Sequence, residues 1–316
     1  MARSDRNAPR WNVSRLRPEV ISANSNVPSS DRPAGLSAEG WAFGPAPESK
    51  CPQLRGSRRA GFAASILVLC ALAAGVLLGL PSLAFGWGQG GGEMMHRVHD
   101  VGWGIFAVVL VCGAAVTQLW QPERRPAAMQ QLIACLAAGG LSMALSGALT
   151  PPHLIRGALL AVPTTIMIAL HPDRRGIIRL RRVSLPLLGL ATVIAVPLAW
   201  YALQQIHIQQ VDTVSPHGVA FHWGTMATLG LAIAGTMFVA SIRAPGWRVP
   251  VWCGGSALAI FGLASAIYPD YASSVGRTWG ICAIALAIVF VVAGERELFV
   301  QRRRIDDRSA GRPVAA

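Results

Sequence analysis

From residue 61 onward the chain alternates between long apolar runs and short polar joints. The runs cover about 61–85, 97–120, 128–149, 154–170, 184–206, 218–242, 249–268 and 274–294. Each approaches the ~20 residues that a helix needs to cross the hydrocarbon core of a bilayer, the fourth being the shortest. Pro163 and Pro197 fall inside runs, and spanning helices tolerate proline because neighbouring helices re-satisfy the freed backbone groups. The pattern predicts an all-α protein, a polytopic membrane helix bundle of eight transmembrane helices.

The ends of the chain read differently. Residues 1–59 are rich in Arg, Ser, Pro, Asn and Asp with no apolar period, a composition that predicts a disordered tail. Asp5, Glu19, Asp31, Glu39 and Glu48 argue against an organellar transit peptide, and no apolar signal segment follows Met1. Within the apolar region a faint repeat is visible. Gly139–Leu145 in the third run resembles Gly254–Leu258 in the seventh, and each leads to a proline-containing joint and then an arginine (Arg156, Arg277). His96, His99 and Trp103 open the second run much as His217, His222 and Trp223 open the sixth. Two parallel four-helix repeats would produce this spacing. The expected organisation is a tail over 1–59, a first half over 60–182, a second half over 183–297 and a basic tail over 298–316.

Composition sharpens the membrane reading. Hydrophobic residues make up 53% of the 316 and charged residues only 14%, against roughly 25% charged in soluble domains. The net charge of +13 could serve nucleic acid, but its distribution follows topology instead. Alternating spans put Arg124, Arg125, Arg174, Arg175, Arg179, Arg181, Arg182, Arg243, Arg248, Arg296, Arg302, Arg303, Arg304, Arg308 and Arg312 on one side, leaving Arg97, Arg156 and Arg277 on the other. Arginine collects on the cytoplasmic side of membranes, so both termini are expected inside, in a bacterial-type plasma membrane. The expected partner is the lipid bilayer, not nucleic acid.

The candidate chemistry lies at the opposite, arginine-poor face. His96, His99, His153, His207, His217 and His222 map there with Glu93, Asp100, Asp212, Tyr268, Asp270 and Tyr271, while His171 maps to the arginine-rich side. Polar residues at a membrane surface are often only solvated. Placement inside helix starts favours function, because ionisable groups are costly there. The densest stretch runs from Glu93 to Asp100 after a glycine run, with Glu93, His96 and Asp100 on one helical face. Such a stripe can hold a metal, orient a haem-ligating imidazole or supply a general base. Two other features carry blander expectations. Trp87, Trp103, Trp120, Trp223, Trp247, Trp252 and Trp279 read as interfacial anchors, and Gln204–Gln210 with His207 as amphipathic surface. Of the six cysteines, Cys51 lies in the tail and the rest lie in apolar runs; without a CxxC pair they read as packing residues.

Three short stretches carry a family resemblance: Glu93-x-x-His96-Arg97 before the second span, Leu149-Thr150-Pro151-Pro152-His153-Leu154 before the fourth, and Val219-Ala220-Phe221-His222 at the sixth. Together they resemble the haem A synthase family, whose two four-helix bundles each bind haem between paired histidines. The resemblance implies haem as cofactor, His96 and His153 as the first pair, His222 as a ligand in the second half and Glu93 as the catalytic carboxylate. The eighth run contains no histidine, with Tyr271 or Arg277 where a partner for His222 belongs, so one haem or none is expected. The candidate cofactor-binding set is His96, His99, His153 and His222. Rival functions are a non-catalytic membrane component or transporter, and a zinc-dependent membrane hydrolase using Glu93, His96, His99 and His222.

The arginine asymmetry generates a topology test. Reporter fusions after residues 90, 152, 212 and 271 are expected to report the external side, and those near 124, 178 and 246 the internal side. Inversion at two of these positions contradicts the arrangement.

Overall fold

The computed structural model describes residues 56–88, 97–178 and 183–309. Among them the secondary structure is helical without strands, and eight helices are long and apolar enough to cross a membrane. A lipid interior offers backbone groups no hydrogen bonds, so a spanning segment must satisfy its own, which a helix does. We number the helices α1 (Gly56–Val76), α2 (Gly79–Phe85, a short one), α3 (Arg97–Thr117), α4 (Pro126–Leu145), α5 (Pro151–Leu170), α6 (Leu185–Val211), α7 (His222–Ser241), α8 (Arg248–Ile267) and α9 (Gly276–Ser309).

Several boundaries depart from the apolar pattern. Residues 56–59, assigned above to the tail, open α1; the rest of that tail lies outside the described residues. The first apolar run is not one helix: Leu78, at φ 59°, breaks it. Trp103 Nε1 of α3 donates to the Leu77 carbonyl at 2.6 Å, satisfying a group that the break exposes. The short α2 then lies back on α3 at Gly104, where a Cβ would stand 2.5 Å from the Leu83 backbone nitrogen. The fourth span begins at Pro151, not at 154, because proline is pre-organised for the first helical position. That shift puts His153 in the first turn of α5. The fifth span continues to Val211 and takes in Gln204–Gln210, and α9 runs on through Ser309 into the expected C-terminal tail. Parts of α1 (Ala71–Val76) and α3 (Ile105–Cys112) are π-helical and pack together.

Packing centres on α7. Of its apolar stretch 78% is buried inside the protein, against 22% for α9 and 28% for α1 and α5. α7 packs on α3, α4, α6 and α8. The neighbours repeat between halves: α1 meets α5 as α6 meets α9, α4 meets α5 as α8 meets α9, and α4 meets α7 as α8 meets α3. Two parallel four-helix units produce that pattern. Where α3 crosses α7, Gly102 admits the Met226 thioether, whose sulfur would lie 2.6 Å from a Cβ there.

At one end of the bundle stand Arg124, Arg125, Arg174, Arg175, Arg243 and Arg248, the last two paired with Glu297 at 3.4 Å and Glu295 at 2.6 Å. At the other stand Arg97, Arg156 and Arg277. α8 and α9 approach closely, and a Cβ on Gly262 or on Gly280 would lie 2.5 Å from the other's carbonyl oxygen. Gly262→Val is therefore expected to cost about 1–3 kcal/mol or more through overpacking, read as a lower Tm in detergent. Gly189→Ala, where a Cβ meets nothing within 4 Å, is expected to leave Tm unchanged or raise it slightly.

Candidate functional site

The arginine-poor end holds a cluster of three imidazoles. His99 sits in the first turn of α3 and is 3% exposed, His217 lies in a one-turn helix before α7 and is 8% exposed, and His222 is the first residue of α7. Their ring centroids form a triangle with sides of 5.3, 5.5 and 5.7 Å. Trp223 closes one side, 5.1 Å from His99 and stacked on His217 at 5.5 Å. It is therefore part of the cluster and not the interfacial anchor expected from its place at a span end.

His99 and Trp223 are braced by polar groups that the hydropathy pattern hides. Tyr201, Gln205 and Gln209 recur every four residues along α6 and so share a face. Tyr201 donates to the Ser273 carbonyl at 2.8 Å, and Ser273 Oγ donates to Gln205 Oε1 at 2.7 Å while meeting His99 Nε2 at 3.2 Å. A serine hydroxyl has one hydrogen. Having given it to Gln205, Ser273 can only accept from His99, which places a proton on His99 Nε2. Gln209 clamps the loop before α7, donating to the Gly218 carbonyl at 2.8 Å and accepting from Gly224 N at 3.1 Å. Gln205 and Gln209 are 5% and 6% exposed, so half of the glutamine stretch faces inward, correcting the amphipathic-surface expectation. His207 on the same helix is exposed and takes no part.

Asp212 organises the His217 loop. Its carboxylate accepts from Ser215 Oγ at 2.5 Å, Trp223 Nε1 at 2.8 Å and Ser215 N at 3.1 Å. Hydrogen bonds from Ser215, then from Trp223, hold its carboxyl below the usual aspartate range. A depressed carboxylate pKa contributes stability above the unfolded value, and that stability is lost as pH falls through the folded value.

His153, 9% exposed, stands on the other side of Phe221, whose ring centroid is 4.9 Å from its own. Phe221 adopts a left-handed backbone, φ 63°, at the entry to α7, an uncommon conformation for a bulky residue. Thr150 Oγ1, just before α5, lies 2.8 Å from His153 Nδ1. Between α1, α3, α4, α5 and α7 opens a cavity of about 640 Å³ whose walls include His99, His153 and His222. Asp100 and Arg156 add charge, Cys135 and Leu136 lie deeper along α4, and aliphatic and aromatic side chains supply most of the rest.

The expected site residues thus divide. His99, His153 and His222 share one cavity. Glu93 and His96 lie outside the described residues. The last span holds no histidine to pair with His222, and Tyr271 packs with Tyr268 at 5.3 Å, both rings facing the Arg97 guanidinium. His222 has His99 and His217 beside it. The structure adds His217, Trp223, Asp212 and Ser273 to the expected set, of which the sequence maps His217 and Asp212 to this face and carries no signal for Ser273. The recurrence of His and Trp in the second and sixth runs was the signal that pointed to His217 and Trp223. Among the described residues, no three His, Cys, Asp or Glu side chains are arranged to hold a metal ion. Comparison of the chain with protein-family models, curated proteins and solved structures finds no match.

Trp223→Phe removes one of the donors to Asp212. A 13C-carboxylate NMR titration, with Asp212→Asn for assignment, is expected to show the Asp212 midpoint move up in the variant. An unchanged midpoint contradicts the hydrogen-bond account.

Proposed function

We propose that this multi-pass membrane protein holds a haem-type prosthetic group in the cavity at its arginine-poor end, with His153 as the residue that would ligate it. The observation that carries the proposal is that imidazoles from three different spans, on α3, α5 and α7, line one largely apolar cavity. Its volume of about 640 Å³ falls in the range of pockets that bury a cofactor, ~300–1,000 Å³. A thioether and aromatic rings suit the faces of a macrocycle, and Arg156 supplies a positive charge for its carboxylates. The proposed ligation requires His153 Nδ1 to carry the proton and donate to Thr150 Oγ1, which leaves the ring's lone pair on Nε2. An outer hydrogen bond of this kind orients a metal-bound histidine. His99, protonated on Nε2 by the Ser273 geometry, and His222 supply the polar wall opposite. The resemblance adds His96 as a ligand and Glu93 as a carboxylate near the group. A haem-type group would supply one-electron or oxygen chemistry; the chain's part is to bind it, orient it and hold water away.

The rival readings have less support. Among the described residues no span carries Asp, Glu or Lys in its interior, which weighs against an ion-coupled transporter. The zinc-hydrolase reading rests on Glu93 and His96, which lie outside the described residues, and His99 and His222 alone do not make a zinc site.

The test is an absorption spectrum of the full chain purified from cells supplied with a haem precursor, with metal analysis of the same sample. The expected result is a Soret band that His153→Ala abolishes and Thr150→Val shifts or weakens, with helical circular dichroism unchanged in both. A colourless, metal-free parent contradicts the proposal.

A further inference from the structure

One side of the cavity faces lipid. α1 and α5 pack together at the arginine-rich end, where the Phe62 ring meets His171 edge-on at 5.8 Å and a Cβ on Gly61 would lie 3.3 Å from Leu170. Towards the other end they part. The π-helical outer turns of α1, Ala71–Val76, touch α5 only marginally, and at Leu78 the chain bends away to lay α2 on α3. The gap this leaves opens into the cavity. Val76 and Leu78 on the α1–α2 elbow, and Leu154 and Ala158 on α5, all line the cavity. Yet Val76 is 66% exposed, Leu78 59% and Leu154 48%, and Ala158 is exposed as well. A side chain that lines an internal cavity and is also open to its surroundings stands at the mouth.

The break that forms this mouth belongs to the first half alone. α6 holds the place of α1 in the second half, and it runs unbroken for 27 residues. It closes on α7, where a Cβ on Gly230 would lie 3.2 Å from the Leu198 carbonyl oxygen and 3.4 Å from the Tyr201 ring. The depth of the mouth decides what it meets. Ala158 and Ala161, both in the cavity wall, lie two and three turns into α5, roughly 10–15 Å below its start at ~1.5 Å rise per residue. That is inside a hydrocarbon core ~30 Å thick, so the mouth opens on acyl chains. Arg156 stands at its rim near the membrane surface. Its Nη1 donates to the Ala220 carbonyl at 3.2 Å, tying α5 to the loop before α7 on the water-facing side. A guanidinium has further N–H groups to offer an anion.

We infer that the cavity is loaded and emptied sideways, from the leaflet at the arginine-poor end, through the gap between the α1–α2 elbow and the first turns of α5. Its ligand is accordingly a membrane-dissolved amphiphile. The apolar body passes between Leu78 and Leu154, and an anionic group stays at the interface beside Arg156. The inference rests on the cavity being a binding site, as proposed above, and not on which group it holds.

The test is photolabelling of the full chain, purified without added haem precursor and reconstituted in liposomes, with an apolar aryl diazirine that dissolves in the bilayer. Mass spectrometry then locates the modified residues. In the parent, labelling is expected at Trp103 and Met143, which line the cavity. It is expected to persist in Ile155→Trp, whose site is exposed on α5 outside the cavity. It is expected to be lost in a double variant carrying Val76→Trp and Ala158→Trp, which sets an indole on each lip. Equal labelling of Val193, exposed on α6, shows that the variants insert alike. An unlabelled cavity in the parent, a double variant labelled like the parent, or the same cavity labelling by a charged diazirine confined to water overturns the inference. Parent labelling that added hemin does not compete away upholds the route while counting against a haem-type ligand, so the two readings fail separately.

Discussion

A bilayer interior supplies no hydrogen bonds, and the arrangement of this protein follows from that constraint. A spanning helix satisfies most of its own backbone groups, and a buried side-chain dipole or a carbonyl freed by a break must find a protein partner or water. The spans obey the rule by keeping charge at their ends: Asp100 sits in the first turn of α3, and Glu295 and Glu297 pair with arginines near the far face. The exceptions carry the functional argument. The amide and imidazole groups of α3, α4, α6 and α7 that are buried, such as His99, Gln131, Gln205 and Gln209, lie where these helices meet one another, while an outward hydroxyl such as Thr192 bonds back to its own helix.

α7 is the helix on which this depends. Being mostly enclosed by α3, α4, α6 and α8, it can carry His222 and Trp223 at one end and Thr228 and Thr236 further in without exposing them to lipid. Its entry is fixed from α6 by Gln209, and its first turn meets His99 of α3, which is positioned through Ser273 by Gln205 and Tyr201. The histidine cluster is thus held by both halves of the chain. Loss of Ser273 or Gln205 would disturb His99 without touching the cavity directly.

Much of this was legible from hydropathy alone. The number of spans, their order and the gathering of arginine at one end need only a 20-residue apolar period and charge at the joints. Paired His and Trp at the second and sixth run openings marked the site helices. What hydropathy missed has local causes. Leu77–Leu78 contains no breaker residue, so the turn separating α1 from α2 is imposed by tertiary contacts at Trp103 and Gly104. Pro151 was read as a joint residue, although proline at a first helical position extends a span. Four glutamines within Gln204–Gln210 average to a polar surface. Only the four-residue recurrence of Tyr201, Gln205 and Gln209, once α6 is known to continue that far, separates the inward face from the outward one.

The central claim is that the cavity is built around an imidazole-ligated planar group, and a cryo-EM map of the full chain purified from native membranes tests it most directly. The account predicts planar density between α3, α4, α5 and α7, continuous with His153 Nε2 and reaching toward Arg156. A cavity filled by an acyl chain, with the His153 ring turned away from it, would contradict the account.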